Sequence, residues 1–382
     1  METGLYLHIP YCRKACHYCD FHFSTSTGNA EAMVSAMLRE MEMRFSAQDI
    51  KRVNTLYFGG GTPSFLPSGQ LEKFLHAACR LAEFHPSAEI TLEANPEDVS
   101  KEKLSDWKSM GINRLSIGLQ SSHDTRLNWM NRNHTARDGE FAVKRAQDAG
   151  FENITVDLMY GYPESTTQEL REDLDYILSL QTTHISAYNL SIEPDTVFGR
   201  QWKKGSLLPL PEEESADRFL EVYDALESAG YQGYEISNFA ASGFEAVHNR
   251  NYWLQKAFTG IGPSAHGFDG IHNRWENTPS NPEYIRDLAS GKLSEKVEIM
   301  SRSSLANEFI LTRLRMKEGL LLPLFSQKFG LSLEQIREYE IQKAVNKGWL
   351  QRYAELLKLS REGRLMADHL ALELFTGEED FS

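Results

Sequence analysis

The 382-residue chain has only four cysteines and lacks a membrane-length apolar run, an excess of basic residues, a low-complexity tract and any internal repeat. Its most apolar local stretch, Leu320 to Phe325, is far shorter than a bilayer span and is interrupted by Pro323. The N-terminus has neither a basic segment nor an apolar run of signal-peptide length, and three of the four cysteines crowd into one loop. The expected compartment is therefore a reducing cytoplasm. Lys and Arg total 40 against 54 Asp and Glu, a formal charge of -14. That balance opposes long-range attraction to nucleic acid or anionic lipid, so an anionic ligand has to be held by local basic residues. No nucleic-acid partner is expected, and composition leaves peripheral membrane contact open. The histidines show no metal-ligand spacing, and no Ser-His-Asp or paired-carboxylate arrangement can be drawn, so no catalytic residue is assigned.

What is present begins with 41% hydrophobic residues, enough for a large domain and a smaller one. From Leu5 to about Ile236 short apolar runs alternate with amphipathic helical stretches, the pattern of repeated βα units. The predicted strands are 5–9, 55–58, 89–93, 114–119, 154–158 and 184–189. Ser68 and Ser100 read as N-caps, Thr166 with Glu169 as a capping box, and Gly111, Gly150 and Gly230 as helix stops. Glu212 to Glu214 after Pro211 read as an acidic first helical turn. Six units imply an α/β barrel or partial barrel. A Gly- and Asn-rich stretch, about 238–281, interrupts the alternation, and after Leu293 the periodicity becomes helical. The expected pieces there are 305–317, 321–329, a helix opened by Ser332 with Gln335 as capping box, and a hairpin of 349–353 and 356–360 before Gly363. Helices followed by a hairpin suggest a smaller C-terminal, winged-helix-like domain without a concentrated basic recognition helix.

Cys12, Cys16 and Cys19 stand in C-x3-C-x2-C spacing directly after the first predicted strand. Three thiolates on one loop can hold three irons of a [4Fe-4S] cube and leave the fourth open to a small molecule, whereas a closed electron-transfer cluster takes four. Structural zinc is the alternative, but no second C-x2-C or H-x3-H knuckle follows. The other polar motifs also fall at the C-terminal ends of predicted strands: Gly59-Gly60-Gly61-Thr62-Pro63 after the second, Glu93 with Asn95-Pro96 after the third, Gln120 after the fourth and Asp157 near the end of the fifth. In a barrel of parallel strands those ends share one rim, so the residues are expected to converge. Three consecutive glycines let the backbone approach a ligand and offer it fixed amide and carbonyl groups. The loop matches neither a phosphate P-loop nor a dinucleotide turn. Gln120 and Asp157 are read either as site residues or as buried barrel stabilisers, and Arg132 as a partner for a cavity carboxylate or a helix cap. Cys79, in the apolar stretch 75–81, reads as a small buried side chain.

Together these motifs resemble the radical S-adenosylmethionine superfamily, whose fold is a partial (β/α)6 TIM-like barrel. Over the whole chain the resemblance is to the oxygen-independent coproporphyrinogen III oxidase family, and more closely to its heme chaperone branch. It is carried by Tyr6 to Cys12, Tyr18 to Phe21, Phe58 to Ser64, Ser116 to Gln120, Asp157 to Pro163 and the hexapeptide His248-Asn249-Arg250-Asn251-Tyr252-Trp253. The resemblance implies a [4Fe-4S] cluster on Cys12, Cys16 and Cys19. It also implies a first S-adenosylmethionine site at Tyr6, Tyr18, Gly60 and Glu93, and a second-site residue set of Gly61, Thr62, Gln120, Arg132 and Asp157. The oxidase pattern has a further cysteine where Phe21 stands and a longer N-terminal segment, which counts against porphyrinogen decarboxylation. The hexapeptide implies heme contact. An imidazole is an ordinary axial ligand, Tyr252 and Trp253 offer aromatic faces, and Arg250 can pair a propionate. Read from the residues alone, His248 is a hydrogen-bonded histidine and the aromatics are packing. The expected division is 1–236 for the core, 237–295 for a crossover carrying the hexapeptide, and 296–382 for the C-terminal domain. The expected function is heme transfer to an acceptor protein, with the respiratory chain as one source of that acceptor. The alternative is the oxidase.

Overall fold

The computed structural model describes residues 1–381. Six parallel strands run in sequence order: β1 (Glu2–Ile9), β2 (Arg52–Gly60), β3 (Glu83–Ala94), β4 (Arg114–Gln120), β5 (Asn153–Tyr160) and β6 (His184–Asn189). All six predicted strands are present, most extended by a few polar residues at either end, because ladder hydrogen bonds continue past the apolar stretch that signals a strand. Ser100 caps its helix by accepting from the Lys103 N–H, and Thr166 with Glu169 forms the full capping box. Ser68 is instead the first helical residue, after Pro67, and makes no cap bond.

Alternation along the strands decides what each face does. Leu5, Leu7, Leu56, Phe58, Leu92, Leu115, Ile117, Val156, Leu158 and Ile185 are fully buried in one core with the surrounding helices. The intervening residues point the other way, and in β2 to β6 they include Tyr57, Thr91, Arg114, Ser116, Asp157 and Ser186 around one small interior space. Barrels of this kind usually fill the interior with branched apolar layers. Here the interior is polar, so cohesion comes from the outer layer and the inward face is free for chemistry.

The barrel is open. β1 and β6 do not pair with each other. The outer edge of β1 takes the parallel strand β9 (Phe258–Ile261), which follows β7 (Gln232–Gly233) and β8 (Asn238–Ala240) in sequence. The edge of β6 is covered by antiparallel β8 and then β7. Beyond β9 come β10 (His266–Phe268), β11 (Asn273–Asn277) and β12 (Glu295–Ile299), completing a twelve-stranded sheet. The stretch that broke the sequence alternation therefore extends both sheet edges. It is tied to the helix Ala30–Ala47 by a buried cluster. There Glu40 accepts from Arg44 Nε at 2.7 Å, Asn277 Nδ2 at 2.8 Å and the Gly262 N–H at 2.8 Å.

The C-terminal part has the expected winged-helix order. Helices Arg302–Arg315, Leu322–Phe329 and Leu333–Asn346 pack with β13 (Leu320–Leu321) and the hairpin β14 (Leu350–Tyr353) and β15 (Leu356–Leu359). Ser332 accepts from the Gln335 N–H, which is half of the expected capping box. Among the described residues no helix is long and apolar enough to cross a membrane.

Candidate functional site

At the C-terminal rim the chain leaves β1 as a closed loop. Its base is pinched where the Cys12 N–H donates to Ser24 O at 3.0 Å and the Ser24 N–H to Pro10 O at 2.9 Å. Its tip is held from across the barrel: His17 donates from its backbone to Met130 O at 3.0 Å and from Nδ1 to Trp129 O at 2.8 Å, and Asn131 Nδ2 donates to Ala15 O at 2.8 Å. Between these anchors Arg13 reaches the buried Asp98 at 2.6 Å. Fixed at three points, the loop turns all three partly exposed thiols toward one cavity of about 460 Å³. Burial pushes the Cys12 thiol up to about 11 and Cys19 up to about 12, so metal loading has to displace their protons.

The glycine loop serves the cysteine loop first. The Gly61 N–H donates to Ile9 O at 2.8 Å and the Thr62 N–H to Tyr11 O at 2.8 Å. A Cβ on Gly61 would meet Tyr11 O at 2.7 Å and Ile9 O at 2.9 Å, while Gly60 adopts φ +104° against the His8 ring. The expectation that these amides face a ligand is corrected at Gly61 and Thr62, whose amides are spent docking the neighbouring loop. The Thr62 side chain does reach the cavity, donating to Cys12 Sγ at 3.4 Å.

Opposite the thiols, Arg132 donates from Nη2 to Gly118 O at 2.7 Å and Asn95 Oδ1 at 2.9 Å, and from Nη1 to Cys16 Sγ at 3.6 Å. Its Nε is buried without a partner. Among the described residues Arg132 bonds no carboxylate of the protein and caps no helix, so its guanidinium is held by neutral acceptors beside the cavity. Burial opposes its charge, but Tyr18 and Cys16 more than offset this and hold it charged. Gln120 has φ +72°, uncommon for a residue with a Cβ, and its carbonyl accepts from Tyr162 Oη at 2.9 Å. Backbone strain of this kind clusters at functional sites. Glu93 Oε1 accepts from Tyr57 Oη at 2.8 Å, and Asp157 Oδ1 from Ser116 Oγ at 3.3 Å. Burial lifts Glu93 to about 7, with the neighbouring Asp157 adding to the rise against the Tyr57 bond, and lifts Asp157 to about 6. They form the pair of acids with raised pKa that sequence spacing could not reveal.

The structure thus gathers Cys12, Cys16, Cys19, Tyr18, Thr62, Glu93, Gln120, Arg132 and Asp157 around one cavity. Tyr6, Gly60 and Gly61 lie behind its wall. Tyr6 Oη meets His8 Nδ1 at 3.2 Å and its ring stacks on Tyr57 at 6.0 Å. The hexapeptide forms the helix Val247–Trp253, packed against Thr55 of β2 and Glu89 of β3, away from the thiols. His248 is 1% exposed. Its Nδ1 bonds Thr55 Oγ1 at 2.8 Å and its Nε2 bonds Tyr252 Oη at 2.7 Å, so neither ring nitrogen is open to a metal. Arg250 pairs with Glu318, and Trp253 lies under Arg315. Cys79 is exposed, contrary to the sequence reading, because Leu71, Phe74, Leu75 and Ala78 take the buried face of its helix.

Among the described residues no three Cys, His, Asp or Glu side chains are arranged to hold one metal ion. Three thiols spread along one cavity wall beside an unpaired guanidinium fit a larger anionic cluster instead. Sequence reasoning missed Tyr57, Ser116 and Tyr188 as interior residues and Asp98 as a loop anchor. Each of the first three occupies the inward step of a predicted strand and carries no motif that marks it.

A model of the radical SAM superfamily matches residues 6–177, and one of the HemN C-terminal domain matches residues 300–366. The heme chaperone HemW of Lactococcus lactis is 35% identical over 364 residues, covering 94% of each chain. HemW of Bacillus subtilis is 34% identical over 380 residues, covering 98% of this chain and 99% of its own. HemW of Escherichia coli is 31% identical, covering 98% of each. The solved coproporphyrinogen III oxidase HemN of Escherichia coli, a radical SAM enzyme, superposes with a TM-score of 0.85 at 22% identity, covering 98% of this chain and 90% of that one, which shows the shared fold. With likeness above 30% along nearly its entire length and a cysteine loop, barrel and winged C-terminal part in matching order, the chain belongs to the HemW family of the radical SAM superfamily.

Proposed function

We propose that this chain is a heme chaperone of the reducing cytoplasm. It carries a [4Fe-4S] cluster on Cys12, Cys16 and Cys19, binds S-adenosylmethionine beside it, and takes up heme for transfer to an acceptor protein. The observation that carries the reading is the near-full-length likeness to relatives named heme chaperone, in a chain whose three thiols share one cavity with Glu93, Arg132 and Asp157. When bound, the cluster supplies an iron with an open position and a one-electron couple.

The chain's own residues prepare that cavity. Arg132 donates to Cys16 Sγ and the Thr62 hydroxyl to Cys12 Sγ, and both groups oppose the rise that burial imposes on the Cys12 thiol. Glu93 is the acceptor for ribose hydroxyls, with Tyr6 and Gly60 supporting it from behind and Tyr18 closing the wall. Gln120, Arg132 and Asp157, with Thr62 and the Gly61 ledge, make up a second polar subsite. Heme contact by His248, Arg250, Tyr252 and Trp253 carries one condition: ligation through His248 requires the imidazole to give up Thr55 or Tyr252.

Coproporphyrinogen III oxidation is the second reading, favoured by the fold shared with the oxidase. The test is anaerobic reconstitution of the cluster, followed by heme in one sample and coproporphyrinogen III, S-adenosylmethionine and reductant in another. A stoichiometric Soret band without protoporphyrinogen is expected. Catalytic protoporphyrinogen formation without a stable heme band would replace the chaperone reading with the oxidase.

A further inference from the structure

The inward faces of the strands form a continuous polar column. Glu93, Ser116, Asp157 and Tyr188 line both the thiol cavity and a space of about 50 Å³ adjoining it, which Ala246 and Asn249 close from the hexapeptide segment. Within this column Tyr57 donates to Glu93 at 2.8 Å. The Tyr57 ring stacks on His248 with centroids 5.1 Å apart and planes 25° apart. Beyond the stack, His248 is pinned by Thr55 at 2.8 Å and Tyr252 at 2.7 Å. Glu89 fixes the helix itself, accepting from the Val247 and His248 N–H groups at 3.0 and 2.9 Å. An imidazole bonded at both nitrogens cannot rotate without stranding a buried polar group, so its ring fixes the surface against which Tyr57 lies.

We propose that His248 is a positioning residue of the nucleoside site: through the stacked Tyr57 it holds the Glu93 carboxylate in the orientation that accepts ribose hydroxyls. The inference rests on the reading that Glu93 receives S-adenosylmethionine, and it gives the hexapeptide a task separate from heme contact. It also has a regulatory corollary. Iron ligation through His248 would take a ring nitrogen from Thr55 or Tyr252 and unseat the surface under Tyr57, so heme ligation there and tight nucleoside binding oppose each other, reciprocally.

The test uses the full chain with its cluster reconstituted, reading S-adenosylmethionine affinity by equilibrium dialysis and cluster absorbance alongside. Tyr57→Phe, which removes only the hydroxyl, and His248→Ala are each expected to weaken binding about tenfold, the scale of one hydrogen bond to a charged group. Cluster absorbance stays unchanged, and His248→Asn, whose planar amide still meets Thr55, recovers part of the loss. The double variant is expected to be no weaker than the worse single one, since both act on one chain of contacts. Unchanged affinity in the single variants, or additive losses in the double, overturns the inference. Absence of binding in the wild type would sink the nucleoside reading instead. The coupling is then read in metal-free protein, where Glu93→Gln and His248→Asn are expected to shift the urea midpoint non-additively and additive shifts overturn it.

Discussion

Replacing Glu93 with glutamine should stabilise the metal-free protein at pH 8 and leave it almost unchanged at pH 5. The carboxyl faces a polar but largely dry interior, and burial raises it from an ordinary 4.5 to about 7. Between those values the folded protein keeps a proton that the unfolded chain has released, so stability falls as pH rises through the window and the loss is complete above 7. The difference corresponds to about 3 kcal/mol, an upper figure because the open cavity hydrates one side of the group. Glutamine keeps the shape and still accepts from Tyr57 while having no charge to bury. Asp157, raised to about 6, titrates in both proteins, and removing its charged neighbour makes its own ionisation easier, which adds to the gain in the same direction. Urea unfolding of both proteins at pH 5, 6, 7 and 8 under reducing conditions reads the effect as a midpoint difference that opens with pH. Parallel pH profiles would refute the burial argument.

Gly61→Ala places a methyl group against Tyr11 O and Ile9 O, so a loss of about 1–3 kcal/mol and poor iron retention are expected. A wild-type melting curve and iron content would count against the docking role of the glycine loop. Glu40→Ala takes one partner from Arg44 and Asn277, which keep Glu295 and the Gly262 carbonyl, and leaves the Gly262 amide and the Tyr284 hydroxyl without an acceptor in a buried site, for which about 2–4 kcal/mol is expected by thermal or urea unfolding; a change below about 1 kcal/mol would mean the crossover strands need no such tie. At the cysteine loop the two ends of one ion pair should differ. Asp98→Ala removes the acceptor of both Arg13 and the buried Ser64 hydroxyl and should cost stability and cluster retention, whereas Arg13→Gln, at a partly exposed side chain, should cost about 1 kcal/mol or less. Equal effects would show that Asp98 is not an anchor.

The strands were legible because their outward residues are apolar and periodic, and the rim was legible because its motifs all follow those runs. The polar inward steps were not read as a lumen. Thr55, Tyr57, Arg114, Ser116 and Tyr188 carry no motif, and a lone polar residue inside an apolar run is indistinguishable in sequence from an ordinary satisfied one. The destination of the Gly- and Asn-rich stretch was hidden for a different reason. β9 pairs with β1 across about 250 residues of chain, and such register is set by the free edge of an open barrel rather than by any local signal. Arg132 was found, but its partners were not, because its acceptors are the Gly118 carbonyl and Asn95, which leave no charge pattern. Cys79 was misread through periodicity: one residue past Ala78, the helix has already turned to solvent.

A barrel with a polar interior divides its work between alternate residues. Leu5, Leu7, Leu56, Phe58 and Ile117 face the helices and supply the hydrophobic stability that a polar lumen cannot. Glu93, Ser116 and Asp157 face inward and line the rim cavity, with Tyr57 and Tyr6 stacked behind them. This division gives the hexapeptide helix a structural place far from the thiols. An open lumen has to be closed beyond the rim cavity, and the helix that closes it presents His248, whose imidazole burial holds neutral at a pKa of about 3, to the side chain that bonds Glu93. On the positioning role proposed for His248, a displacement of this helix would be read at the rim through these side chains. The column from Glu93 to Tyr252 is built from three contacts, and for the heme chaperone proposed here it is a side-chain route between the hexapeptide helix and the rim cavity.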